Sequence, residues 1–287
     1  MQNSSSCTEK NYKLTAKQLE NFNSQGYLIL KTFSENEVTD LLKRSNLVKE
    51  KAFDLAINGG GTPSLTHDPS LTSVIYGGSQ FVVKHNENGP SIQRVVWAGA
   101  YDPKLLEYGR SPQITVPVSQ ILESNEANHI INQIHFKLPH DKVKFLWHHD
   151  IQNRMAFSKD WQDLNGKGSY VVAITAIDKN TIGNGPLYVI PGSHKQKLEF
   201  PRFVDTDELP ETAKSQSKIP ILLEPGDTVF FHAYLLHASW ENESSEERKV
   251  LINGFSYPGS NTCQHPGNGS GETIVLGMTD VCDTILQ

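Results

Sequence analysis

The sequence predicts a mainly β protein, a sandwich or barrel with α-helices packed before it, and three observations carry that expectation. From about residue 128 onward, short β-rich runs alternate with Gly/Pro turn signals. Before that point the strongest local signals are helix caps. No internal repeat, low-complexity tract or linker divides the 287 residues. One domain over 1–287 is therefore expected, with a helical and mixed part at about 13–127, a β core at about 128–257 and a tail at 258–287. A chain of this length can bury a sizeable core without a stapling disulfide or metal.

Taken in order, Thr15 can cap a short helix over 15–25 that Gly26 ends, with Leu19 and Phe22 on one face. Tyr27-Leu28-Ile29-Leu30 reads as a strand. Ser34 and Glu37 form a capping box for a second helix running to about Ala56. Residues 57–80, rich in Gly, Pro, Ser and Thr, read as loop. Gly59-Gly60-Gly61 lacks the following Gly-Lys-Ser/Thr of a phosphate cradle. A helix is expected near Pro103–Tyr108. The β-rich runs are 130–136, 144–149, 169–177, 187–190, 219–223, 228–232 and 249–257. Turns at Gly183-Asn184-Gly185-Pro186, Pro191-Gly192-Ser193 and Pro225-Gly226-Asp227 punctuate them.

Composition narrows the partners. A net charge of −6 disfavours binding to phosphate backbones, which needs many Lys and Arg contacts. No apolar run approaches membrane-spanning length. The first residues, MQNSSSCTEKN, hold no apolar core of a secretory signal, and the last four form no readable address. Cys7, Cys263 and Cys282 are odd in number and widely spaced, with no CxxC pair, which favours a reducing, cytoplasmic setting. In that setting the three N-x-S/T matches, at Asn3, Asn242 and Asn268, are chance. The remaining partner class is a small molecule; oligomeric state is not legible.

The chemistry concentrates in Phe145-Leu146-Trp147-His148-His149-Asp150. Along a strand, residues two apart share a face, so His148 and Asp150 would converge while His149 points away. An imidazole and a carboxylate side by side suit Fe(II), and a second distant histidine would complete a facial triad with open positions. Two candidates follow the turn at Pro225-Gly226-Asp227: His232 and His237. His237 is preferred because Ser239 and Arg248 stand behind it; His232 is assigned a structural role or one supporting the ligands from behind. A lone His-x-Asp triplet is usually a surface or structural feature, so the ordered set carries the argument. Arg248 enters the apolar run Val250-Leu251-Ile252. A cation entering a core strand needs an anionic partner, and its bland partner would be Glu246 or Glu247.

Together these residues resemble the phytanoyl-CoA dioxygenase family. The pattern is His148-x-Asp150, Asn184-Gly185-Pro186 through Pro191-Gly192-Ser193-His194, Gly226-Asp227, His237-x-Ser239 and Arg248. The opening Leu14-Thr15 through Phe22, Gly26-Tyr27-Leu28-Ile29 and Phe33-Ser34 resembles its N-terminal helix and strand; residues 57–90 and the tail resemble it least. The resemblance implies a double-stranded β-helix, a jelly-roll of cupin type with N-terminal helices outside. It implies iron at His148, Asp150 and His237, with 2-oxoglutarate as co-substrate, O2 as oxidant, and succinate and CO2 released. Arg248 and Ser239 match the contacts to the distal carboxylate of the co-substrate. Gln133 and Arg94 match further co-substrate contacts, and the Asn-Gly-Pro and Pro-Gly-Ser-His stretches, His194 included, match structural turns. A carboxylate at 150 favours hydroxylation, because related halogenases place a small residue there. Trp147, His149, Gln152, Arg154 and Trp240 are candidate substrate contacts, Arg154 for an anionic substrate. Two rivals stand beside this reading: a cupin-like metal enzyme that does not use 2-oxoglutarate, and a non-catalytic binding protein on the same fold.

Overall fold

The computed structural model describes residues 12–64, 71–86, 89–157, 161–196, 198–260 and 270–277. Cys7, Cys263, Cys282, Asn3, Asn268 and the last four residues lie outside the described residues.

The chain opens with α1 (Ala16–Gln25) and β1 (Tyr27–Lys31). Thr15 and Gln18 cap α1 reciprocally, and Gly26, at φ +83°, ends it in the left-handed conformation that glycine adopts at no steric cost. The helix α2 (Glu35–Asn58) starts on the Ser34–Glu37 box. It buries Leu41, Val48, Ala52 and Leu55 at helical spacing. Residues 57–80 depart from the loop expectation. The described part contains β2 (Thr62–Ser64), β3 (Leu71–Tyr76) and the start of β4 (Ser79–Asn86), followed by β5 (Gly89–Val96). Each pairs antiparallel with the next, and β5 pairs β6 (Glu126–Lys137). Buried Leu71 and Ser73 alternate with exposed or half-buried neighbours along β3. The Gly/Ser/Thr content masks that period.

Short helices α3 (Ala98–Tyr101), α4 (Pro103–Gly109) and α5 (Pro112–Leu122) precede β6. The expected helix near 103–108 is α4; α5 is an addition. Prolines start both, at a position where a helix needs no N–H. Pro117 lies inside α5 and disguised it as a breaker.

The core then alternates between two sheets. β7 (Phe145–His148) leads into α6 (Asp150–Phe157); β8 (Tyr170–Ala176), β9 (Leu187–Val189), a four-residue α7 (Glu211–Lys214), β10 (Ile219–Ile221), β11 (Asp227–His232), β12 (His237–Ser239) and β13 (Arg248–Ser256) follow. One sheet runs β11-β8-β13-β6 at its centre, extended by β1 on one side and by β5-β4-β3-β2 on the other. The other runs β10-β9-β12-β7. Successive strands from β6 to β13 therefore alternate between facing sheets or fold back within one, the wiring of a jelly-roll. A last strand, β14 (Glu272–Val275), pairs with the first residues of β6, so the tail is partly structured.

One apolar cluster, with Phe33, Phe81, Ile134 and Phe255, fills the space between the helices and the large sheet. A second, with Val189, Val229, Phe231 and Val250, lies between the sheets and floors the site.

Candidate metal centre and anion wall

His148 is the last residue of β7 and His237 the first of β12, and the two are directly paired across the short sheet. Asp150 is not on the strand. The strand ends at His148, and Asp150 opens α6. The convergence of His148 with Asp150 thus comes from a strand-to-helix turn and not from β alternation, because the chain leaves the sheet two residues too early for the period-two argument. The outcome is still a tight cluster. Asp150 Oδ1 lies 3.9 Å from His148 Nε2 and 3.8 Å from His237 Nε2, and one ligand atom from each of the three lies within 4.8 Å of the others.

Both imidazoles are oriented by the same local device. His148 Nδ1 is 2.7 Å from Leu146 O, and His237 Nδ1 is 2.9 Å from Leu235 O. A carbonyl only accepts, so each Nδ1 must carry the proton and each Nε2 presents its lone pair toward Asp150. Burial, reinforced by His237, pushes His148 down to about 3, so its lone pair stays available at ordinary pH. Two neutral imidazoles and a carboxylate on one face, with open space beside them, form the donor set that suits non-haem iron(II).

That open space is a cavity of about 780 Å³ between the sheets. The large sheet forms its opposite wall and carries Arg94, Gln133, His135 and Arg248. Arg248 starts β13 and is 6% exposed, and its Nε has no hydrogen-bond partner among the described residues. Of its two expected bland partners, Glu246 is exposed and Glu247 pairs with Lys49 and Lys249, both at 2.7 Å. Burial holds Arg248 down to about 10, which leaves it charged. Arg94 is half-buried, donates to Gln93 Oε1 at 2.9 Å and is lowered by desolvation. Two guanidinium groups on one wall, Arg248 with a donor to spare, have the chemistry to hold an anion.

Of the five candidate substrate contacts, only Arg154 lines the cavity. It sits one turn after Asp150 on α6, with its guanidinium 5.5 Å from the Tyr170 ring centre. The other four are packing residues. Trp147 is 1% exposed, donates to Thr206 Oγ1 at 3.0 Å and meets Trp240 edge-on at 6.3 Å. His149 Nε2 donates to Leu198 O, and Gln152 donates to Phe200 O at 2.7 Å. His232 and His194 meet in a tilted contact, ring centres 4.9 Å apart, against α1 and outside the triad. Asn242 donates to three backbone carbonyls and is 1% exposed, a structural post. Sequence reasoning missed His135, Lys137 and Tyr170. The first two follow Gln133 at a spacing of two on β6, a period that was there to be read.

A jelly-roll whose short sheet and adjoining helix hold a two-His, one-carboxylate set, facing arginines across a deep cavity, defines the class of non-haem metal oxygenase scaffolds. A family model described as phytanoyl-CoA dioxygenase (PhyH) matches residues 22–250, and the chain belongs to that family. It is 29% identical over 163 residues to a probable phytanoyl-CoA dioxygenase of Caenorhabditis elegans, covering 53% of this chain and 50% of that protein. It is 32% identical over 89 residues to the peroxisomal phytanoyl-CoA dioxygenase of Homo sapiens, covering 28% of this chain and 26% of that one. The matched stretches thus span half or less of these relatives. Among solved structures it shares the fold of EctD from S. alaskensis with 2-oxoglutarate and 5-hydroxyectoine (TM-score 0.67, 19% identity, 94% of this chain and 88% of that one). It also shares that of the α-ketoglutarate-dependent carbocyclase SnoK (TM-score 0.60, 19% identity, 85% and 84%). No helix among the described residues is long and apolar enough to cross a membrane.

Proposed function

We propose that this chain is an iron(II)- and 2-oxoglutarate-dependent dioxygenase that hydroxylates an unactivated C–H bond of a small molecule. The observation that carries the reading is the pairing of the His148–Asp150–His237 cluster with the uncommitted Arg248 guanidinium on opposite walls of one cavity. His148, Asp150 and His237 would hold the metal. Arg248 and Ser239 would take the distal carboxylate of the co-substrate, with Gln133 and Arg94 as further contacts on the same wall. Bound iron and 2-oxoglutarate supply the oxidising chemistry: with O2, the keto acid becomes succinate and CO2 and the substrate C–H becomes C–OH.

The protein's share is positioning and exclusion of water. The two Nδ1–H···O=C bonds fix the imidazole planes before metal arrives, so little reorganisation accompanies binding. Val229, Phe231, Val250 and Ile252 line the cavity floor and keep it dry. Arg154, on the helix that begins with Asp150, would meet a negative group of the substrate. The carboxylate at 150 fills the position that a small residue would leave open to halide, which supports hydroxylation.

The test is succinate formation by the Fe(II)-loaded protein with 2-oxoglutarate and O2. Turnover that disappears in His148→Ala supports the assignment, as does a sharply raised requirement for 2-oxoglutarate in Arg248→Ala. Metal binding with no affinity for 2-oxoglutarate would transfer the case to a metal enzyme of another kind. Binding of both without succinate under any substrate panel would leave a binding protein.

A further inference from the structure

Lys137 is the least exposed charged side chain among the described residues, at 1%, and none of its described hydrogen-bond partners is a carboxylate. It ends β6 and is paired in register with Arg248. It lies on the face of β6 that also carries Gln133 and His135, both cavity residues. Its Nζ reaches three oxygens: Gly185 O at 3.2 Å, Ser239 Oγ at 3.0 Å and Trp240 O. Gly185 stands at φ +70°, where a side chain would strike the Trp240 and Glu241 carbonyls, so the turn is shaped to bring its carbonyl to the lysine. Lys137 itself does not line the cavity; Ser239 and Arg248 do. An isolated buried cation is costly unless something anionic approaches. The link of Lys137 to the cavity runs through Ser239, which lines that space.

We propose that Lys137 is a positioning residue of the co-substrate pocket, holding the Ser239 hydroxyl from behind so that its proton points at the distal carboxylate, and adding its charge to that of Arg248. The proposal rests on the 2-oxoglutarate reading above. An ammonium that donates to Ser239 Oγ occupies one of its lone pairs, and the hydroxyl proton is then left for the cavity side. The surroundings set the balance. Burial and Arg248 press Lys137 down to about 6, against weak opposing pulls from Asp141 and Glu241. His135, the other titratable group on this face, is held well below its usual range by burial and by Arg94 and Arg248. At pH 7.5 the empty pocket therefore favours a neutral Lys137, and a carboxylate arriving beside it favours the charged form. Co-substrate binding then takes up a proton.

The experiment is anaerobic calorimetry of 2-oxoglutarate binding to the Fe(II)-loaded protein at pH 7.5. Lys137→Met is expected to weaken binding tenfold or more while leaving Fe(II) affinity unchanged. Ser239→Ala should weaken it less, and the double variant should be no worse than Lys137→Met alone. In the wild type, titrations in two buffers of different protonation enthalpy should reveal net proton uptake, absent from Lys137→Met. An unchanged dissociation constant in a folded Lys137→Met protein, or fully additive losses, overturns the proposal. If that variant does not fold, the wild type decides, and binding without proton uptake overturns it. Failure of the wild type to bind 2-oxoglutarate at all instead removes the reading on which the proposal rests.

Discussion

The two walls of the cavity are built on different principles. On the short sheet, His148 and His237 are each aimed by a carbonyl two residues away in the same segment. Their orientation is a local property, and one paired register position, His237 opposite His148, brings them together. On the large sheet, Arg248, Arg94 and Gln133 come from three strands. What keeps Arg248 uncommitted is decided elsewhere, by Lys49 from α2 and Lys249 competing for Glu247. The histidine side is preorganised by short-range bonds; the arginine side depends on long-range absence of partners. Damage to the first should therefore be all-or-none, and damage to the second graded.

The sharpest break is at the triad. Asp150→Ala, which removes the one charge of the cluster, is expected to lower Fe(II) affinity by more than about a hundredfold, beyond the loss typical for outer-shell residues. Metal content after dialysis measures it, and retention of metal would deny Asp150 its role. Next, Arg248→Ala should raise the 2-oxoglutarate dissociation constant by about 30-fold or more, the scale for removing one partner of a buried charge pair. Iron content should stay intact. If iron is lost as well, the two walls are not independent.

Smaller effects sharpen the contrast. Arg154→Gln should lower kcat/KM for an anionic substrate by about tenfold, the worth of a modest charged contact. Succinate release without substrate should be unaffected. The buried neutral histidines tie stability to acid. His129, buried without exposure, is pushed down to about 3, chiefly by desolvation. Because the unfolded chain protonates it near 6.5, folded stability is full above that pH. It falls as pH drops toward 3, by about 1.4 kcal/mol per unit for this residue. Urea unfolding at pH 7 and pH 5 measures the slope, and a flat profile would contradict the burial. Smallest of all, Trp147→Phe should cost about 1 kcal/mol, mainly through the lost Thr206 bond, with no change in substrate preference.

What could be read in advance follows the same division. The capped helices α1 and α2 and the alternating strands of the β core are short-range patterns and were legible. The meeting of His148, Asp150 and His237 at one end of a cavity that Arg248 also lines was foreseen too, although Asp150 arrives by a turn that no strand rule foresees. The strands β2–β5 were not legible, since their Gly, Ser and Thr residues dilute the apolar period and their burial comes from α2 and β6 packing. Trp147, His149, Gln152 and Trp240 do not line the cavity, because nearness in sequence to His148 and His237 does not fix direction. Trp147 and Trp240 join the cluster around Val204 and Leu236. Gln152 and His149 are consumed by the 198–200 carbonyls. Lys137 was hidden because its meaning depends on a turn almost fifty residues downstream.

The strand at Glu272–Val275 has a practical consequence for handling the protein. It covers the backbone of Glu126–His129, the stretch of β6 that β5 leaves uncovered. Trimming the chain ahead of Glu272 would bare a row of unsatisfied amides and carbonyls beside apolar Ala127 and Ile130, the kind of open ladder that recruits strands from other molecules. Shortened versions should then self-associate while their iron site remains intact, and light scattering would register the clumping long before any assay did.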